Sequence, residues 1–122
     1  MYSFNKDIGA LGESIAEEYL TNMGYIILDK NFRSKFGEID IIGKDGNYIA
    51  FVEVKARYGS IYGTPAEAVT PRKQNRIYRT AQLYILKKRI FKFNFRFDVI
   101  EVILNSKDND YSVRLIKDAF QI

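Results

Sequence analysis

Two short stretches, Gly37-Glu38-Ile39-Asp40-Ile41-Ile42 and Phe51-Val52-Glu53-Val54-Lys55, set two carboxylates and a lysine among β-branched and aromatic residues. Neighbouring carboxylates repel unless protons or a cation compensate them, and the cost rises as solvent is excluded. Mg²⁺ or Mn²⁺ would supply that compensation through oxygen ligands, with Asp40 and Glu53 as side-chain donors and the Val54 backbone carbonyl as a candidate third. Lys55, at the edge of such a cation, could orient a water nucleophile, stabilise charge on a phosphoryl oxygen, or act as a base if desolvation lowers its pKa. The sequence does not separate these three roles. An ordinary ionic ladder on a solvated strand pair is the competing use of the same residues, and Glu38 alone reads as a solvated strand end.

Composition narrows the chemistry further. The chain of 122 residues has no Cys and no His, which excludes disulfides, thiolate nucleophiles, imidazole bases, His/Cys zinc sites and a Ser-His-Asp arrangement. Carboxylates, lysines, tyrosines, hydroxyls and hard cations remain. The formal charge of +4 is modest, but residues 55–97 hold 11 basic residues against one acidic residue, while the rest of the chain is acidic. Such a division permits a carboxylate pocket beside a phosphate-attracting surface. With no long apolar span and no cationic leader followed by an apolar run, a soluble cytoplasmic protein is expected, with no membrane partner.

These residues need elements to hold them. Asp45-Gly46 is a hairpin signal between strands over 38–42 and 48–56; with those two residues as the turn, Asp40 falls opposite Phe51 and Glu53 lies diagonal to it on the same face. A bulge would move Asp40 to the other face. Upstream, 5–23 reads as a helix, with Asn5 as N-cap, a stripe of Ile8, Leu11, Ile15 and Tyr19, and Gly24 as the stop. At about 100° per residue, Glu13 sits about 20° beyond Leu20, at the rim of the apolar arc. A short strand over 25–28 and a polar connection over 29–37 complete the first half.

Downstream, the Gly- and Pro-containing stretch 56–71 reads as a loop with a short helical turn over 65–69, and Thr70-Pro71 starts a second helix running to about Arg89. Strands over 93–104 and 111–117 follow, and Phe120 is expected to pack. A long helix between the hairpin and the later strands predicts a mixed sheet in a single α/β domain over residues 1–122. Whether the two helices share a face is open at this stage. Arg57 and the cluster Arg72, Lys73, Arg76 and Arg79 at the start of the second helix are candidate phosphate contacts beside the metal site, with Arg57 and Lys73 the best local candidates. Gln74 lies on the inward arc with Ile77, Ala81 and Ile85, so its amide needs hydrogen-bond partners. Arg96 and Asp98 share strand parity, and bonds to neighbouring elements are expected before a direct pair.

Taken in order, Gly9 to Glu13 with Ala16 and Leu20, Gly24-Tyr25, Asn31, Gly37-Glu38-Ile39-Asp40, Phe51-Val52-Glu53-Val54-Lys55 with Arg57, and Arg96-Phe97-Asp98 resemble the UPF0102 (YraN) family. That family is similar to archaeal Holliday-junction resolvases with a restriction-endonuclease-like core. The resemblance implies such a fold, a mixed central sheet flanked by helices. It also implies metal-dependent phosphodiester hydrolysis, with Asp40, Glu53 and Lys55 as the nuclease motif and Glu13 as the helical glutamate and further ligand. Gln74-x-x-x-Tyr78 is similar to an element following the E-x-K strand in another branch of the superfamily, which makes Gln74 and Tyr78 candidate substrate-binding residues with Arg57, Lys73 and Arg76. The implied function is a Mg²⁺-dependent DNA endonuclease or exonuclease acting on branched DNA in repair or recombination; RNA stays open as a substrate. A noncatalytic nucleic-acid-binding or assembly protein is the alternative. Resolvase similarity also implies a homodimer, for which Tyr58, Tyr62, Phe91 and Phe120 would be candidate interface aromatics.

Overall fold

The computed structural model describes residues 6–59, 69–105 and 110–121. Helix α1 (Lys6–Asn22) buries Ala16 and Leu20 fully and sets Leu11, Ile15 and Tyr19 against the same surface. A β-carbon on Gly12 would collide with the side chain of Ala56, so this glycine is what lets α1 lie directly on the sheet.

Strands β1 (Ile26–Ser34), β2 (Gly37–Asp45), β3 (Tyr48–Tyr58), β4 (Asn94–Leu104) and β5 (Tyr111–Ile116) form one five-stranded sheet in that order. Only β3 and β4 are parallel, and helix α2 (Pro71–Lys88) lies between them in sequence. The Thr70 side chain accepts from the Lys73 N–H at 3.2 Å and Pro71 opens α2, as the sequence predicts; Arg89 closes it in a left-handed conformation at φ 54°. The helices take opposite faces. On one, α1 covers Ile41, Val52, Ile100 and Val102. On the other, Ile77, Ala81 and Tyr84 of α2 cover Ile39, Phe51 and Val99. This three-layer α/β arrangement, a mixed sheet with a helix on each face, is consistent with a restriction-endonuclease-like core.

Three sequence expectations need correction. Strand β1 does not stop at Leu28; it continues through the polar run to Ser34 and turns at Lys35-Phe36 into β2. It is an edge strand with alternating exposure, so polar residues are tolerated there and apolar runs understate its length. The next turn is Gly46-Asn47, not Asp45-Gly46, because Asp45 pairs with Tyr48. Gly46, at φ 60°, takes the first central position, where a type II′ hairpin favours glycine. Register therefore moves by two residues, which preserves parity, and Asp40 and Glu53 stay on the same side. Finally, Phe120 is buried, stacked on Phe97 with centroids 5.2 Å apart, so it is no exposed interface aromatic. Phe91 is 63% exposed and Tyr58 half-buried; Tyr62 and most of the helical turn expected over 65–69 lie outside the described residues.

The β1–β2 ribbon also kinks where the site begins. Asn31 adopts φ 53°, and the strand changes face across it: Lys30 bonds Glu17 of α1, whereas Phe32 packs edge-on against Tyr84 of α2. Opposite, Ile41 belongs to the α1-side core and Ile39 to the α2-side core. Asp40 lies between them.

Candidate active site

The β2–β3 pairing begins at Ile41 with Val52, so Asp40 stands just where the two strands part. Its Oδ2 accepts the Val54 N–H at 2.8 Å, a side chain taking the place of a ladder carbonyl. A residue directs its N–H and C=O to the same neighbour of an antiparallel pair, so the Val54 carbonyl faces this gap too. Glu53 is 5% exposed. Its Oε1 lies 2.5 Å from Lys73 Nζ, which descends from the first turn of α2, and 3.9 Å from Lys55 Nζ. A cleft of about 410 Å³ opens over the pair, walled by Glu38, Asp40 and Glu53 on the sheet and by Arg72, Lys73 and Arg76 on α2.

The electrostatics are those of an undercompensated pair. Burial, followed by the negative charge of Glu53, pushes the Asp40 carboxyl up to about 7, against the pull of the Val54 N–H. Burial, followed by the charge of Lys73, lowers the Lys55 ammonium from its ordinary value. At Lys73 burial acts in the same sense, but the hydrogen bond to Glu53 and its charge outweigh it and the pKa is raised. Lys55 is thus nearer to giving up a proton than an ordinary lysine, and Asp40 nearer to keeping one.

The other predicted site residues separate into those at the cleft and those away from it. Glu13 is half-buried on α1, on the opposite face; its charge also raises the Asp40 pKa, yet no three acidic groups converge as metal ligands among the described residues. Arg76 lines the cleft. Gln74 donates its amide to the Val69 carbonyl at 2.9 Å and so ties down the start of the helix that carries Lys73. Arg57 is not among the residues that line the cleft; it pairs at 2.9 Å with Glu101, a 2% exposed residue of β4. Tyr78 is also elsewhere, in an apolar cleft of about 360 Å³ beside Phe51 and Phe97. The reason is helical: Tyr78 is five residues after Lys73, about 140° around the axis, and cannot share its direction. Lys73, a candidate phosphate contact from its place at the start of α2, instead pairs with Glu53.

The family model described as "Uncharacterised protein family UPF0102" matches residues 12–102, a span that holds Glu13, Asp40, Glu53, Lys55 and Lys73. The chain belongs to this family. A UPF0102 protein of Clostridium botulinum (strain Loch Maree / Type A3) is 68% identical over 123 residues, and one of Clostridium kluyveri (strain ATCC 8527 / DSM 555 / NBRC 12016 / NCIMB 10680 / K1) is 62% identical over 122, each covering 100% of both chains. The UPF0102 span runs from the glycine beneath α1 to Val102 in β4, and so takes in the carboxylate pair and the helix that compensates it. No helix among the described residues of this UPF0102 protein is long and apolar enough to cross a membrane.

Proposed function

We propose that this UPF0102 protein is a Mg²⁺-dependent nuclease that hydrolyses phosphodiester bonds in DNA. The observation that carries the reading is the pair of half-buried Asp40 and buried Glu53 at a strand gap, with Lys55 beside it and arginines on the facing wall. An all-oxygen donor set of two carboxylates and a strand carbonyl fits a hard divalent cation, and the burial and the charge of Glu53 that raise the Asp40 pKa are both opposed by a cation at that place. Asp40, Glu53 and the Val54 carbonyl would hold Mg²⁺, or Mn²⁺ in its place, and Glu13 would join them through the outer coordination layer. The cation would polarise the scissile phosphate and lower the pKa of the attacking water. Lys55 in its neutral form would take the proton of that water while the leaving oxygen takes one from solvent, or as an ammonium would hold a phosphoryl oxygen; Arg72, Arg76 and Lys73 would hold the strand by its phosphates.

Branched DNA of repair or recombination is the substrate class of this proposal, and a homodimer would set one site against each of two related strands. A second reading, a noncatalytic nucleic-acid-binding protein, is favoured by one observation: Lys73 already neutralises Glu53. The test titrates Mn²⁺ and Mg²⁺ into folded wild type, Asp40→Asn, Glu53→Gln and Lys55→Ala, then assays linear, flap and four-way DNA, with RNA in parallel. Cleavage by wild type alone, with Lys55→Ala retaining more cation binding than the carboxylate variants, supports the nuclease. Equal cleavage by wild type and Glu53→Gln refutes the assignment, and the lack of both cation binding and cleavage puts the binding protein ahead.

A further inference from the structure

Beside the carboxylate cleft, and sharing Gly37 and Arg76 with it, lies a second and more open cleft of about 510 Å³. One wall is the β1–β2 turn, Ser34 to Gly37; the other is the flank of α2 that carries Asn75, Arg76 and Arg79. Among the described residues its charged lining is Lys35, Arg76 and Arg79, with no carboxylate. A single aromatic ring organises two of these cations. Lys35 Nζ lies 5.3 Å and Arg79 Cζ 5.4 Å from the centre of the Phe36 ring, within the range where the ring quadrupole attracts a cation.

The frame is fixed from beneath. Ser34 Oγ lies 2.9 Å from Oγ1 of the fully buried Thr80 and accepts the Phe36 N–H at 3.0 Å, which docks the turn on α2. Thr80 Oγ1 is also 2.9 Å from the Arg76 carbonyl, one turn earlier on the same helix. Two cations held on one rigid ring, with a third shared with the neighbouring cleft, make a row of positive charge leading away from Asp40 and Glu53. A planar guanidinium fork and an ammonium suit phosphate oxygens, and a strand whose scissile phosphate sits at the carboxylates must carry further phosphates along such a row.

We infer that Lys35, Arg79 and Arg76, organised by Phe36, form a subsite for a backbone phosphate flanking the scissile one. This inference rests on the nuclease reading for its ligand, but its test does not need cleavage. Fluorescence anisotropy with labelled single-stranded and four-way DNA in EDTA compares wild type, the double variant Lys35→Ala/Arg79→Ala, and the control Lys87→Ala/Lys92→Ala, which removes the same charge near the far end of α2. The first double variant should bind at least tenfold more weakly and flatten the slope of log affinity against log salt by about 1 to 2, roughly one for each phosphate no longer neutralised. The control should keep most of both. Phe36→Leu, which retains every charge, should weaken binding without an equal change in slope. All these side chains lie at the surface or its edge, and circular dichroism should report an unchanged fold. Wild-type affinity and slope in Lys35→Ala/Arg79→Ala, or an equal loss in the control, would overturn the subsite alone. Binding through Lys35 and Arg79, with no cleavage when Mg²⁺ is supplied in a separate assay, would keep a phosphate-binding site and remove the nuclease; no binding of DNA by wild type in EDTA would remove the subsite and leave the nuclease to the cleavage assay.

Discussion

The sheet carries buried carboxylates on both faces, and they are treated in opposite ways. On the α1 side Asp98, fully buried, accepts the Tyr25 hydroxyl at 2.8 Å, Arg96 Nε at 2.8 Å, Arg96 Nη2 at 2.9 Å and the Asp118 N–H at 2.9 Å. Arg96 reaches on to Asp45, which also takes Lys117, so the β2–β3 turn, β4 and the C-terminal segment are tied together. On the α2 side Asp40 and Glu53 face one another with one strand N–H and two lysines between them, and Asp40 holds its proton up to about 7. A fully satisfied polar network fixes architecture; a pair left short of positive charge is a place where a ligand can change the balance. The contrast separates Arg96-Phe97-Asp98, whose charges are closed within the fold, from the E-x-K strand, whose charges line a cleft.

The contrast can be broken at several points. The largest effect is on activity: Glu53→Gln and Asp40→Asn should abolish Mg²⁺-dependent cleavage. The thermal midpoint of Asp40→Asn should stay close to or above wild type, because it removes a like charge from the pair, whereas Glu53→Gln leaves Lys73 without its partner and should lower the midpoint of a still folded protein. Asp98→Ala should act on stability instead. It leaves Arg96 without its closest partner and should cost about 3–5 kcal/mol in urea unfolding, with activity per folded molecule retained. Gly12→Ala comes next, at about 1–3 kcal/mol of overpacking as α1 is forced off Ala56; a loss of cation affinity in the folded variant would show that the position of Glu13 matters to the site. The last change is one of slope with pH. The native state keeps the Asp40 proton up to about 7, whereas the unfolded chain loses it near the ordinary 3.8, so stability should fall as pH rises through that window and level off above it. Asp40→Asn should flatten the fall in denaturant titrations across pH 4–8, and cation binding to wild type should strengthen over the same range as the carboxyl ionises.

Much of this site is legible from strand arithmetic. Asp40, Glu53 and Lys55 share parity, and a hairpin turn displaced by one residue along the chain shifts the register by two, which leaves every side chain on its face; only an odd shift changes face. The cap at Thr70-Pro71 and the stripe of α1 are local patterns and read directly. Other features depend on what lies across space. Asn31 gives no sign in sequence that it will turn β1 over, and Lys73 meets Glu53 only because α2 crosses the sheet at that point. Tyr78 and Arg57 lie close to the carboxylates along the chain, but helical rotation turns Tyr78 toward Phe97, and Arg57 reaches diagonally to Glu101, the register partner of Lys55 on β4. The direct bond of Arg96 to Asp98, two residues apart on β4, forms together with the expected bonds to neighbouring elements.

The single parallel pairing, β3 with β4, has a consequence for the order in which the chain assembles. The β2–β3 hairpin closes over its two-residue turn on a timescale of about 1–10 μs, whereas β4 must wait for some 35 residues of crossover to be folded back. Asp40 and Glu53 therefore meet early, on a ribbon still open to water, and Lys73 arrives only when α2 docks. Docking is thus the step at which the carboxylates are desolvated and their counter-charge delivered together, and a divalent cation present during refolding should act on that late step, slowing or hastening it, while the hairpin forms at the same rate with or without the cation.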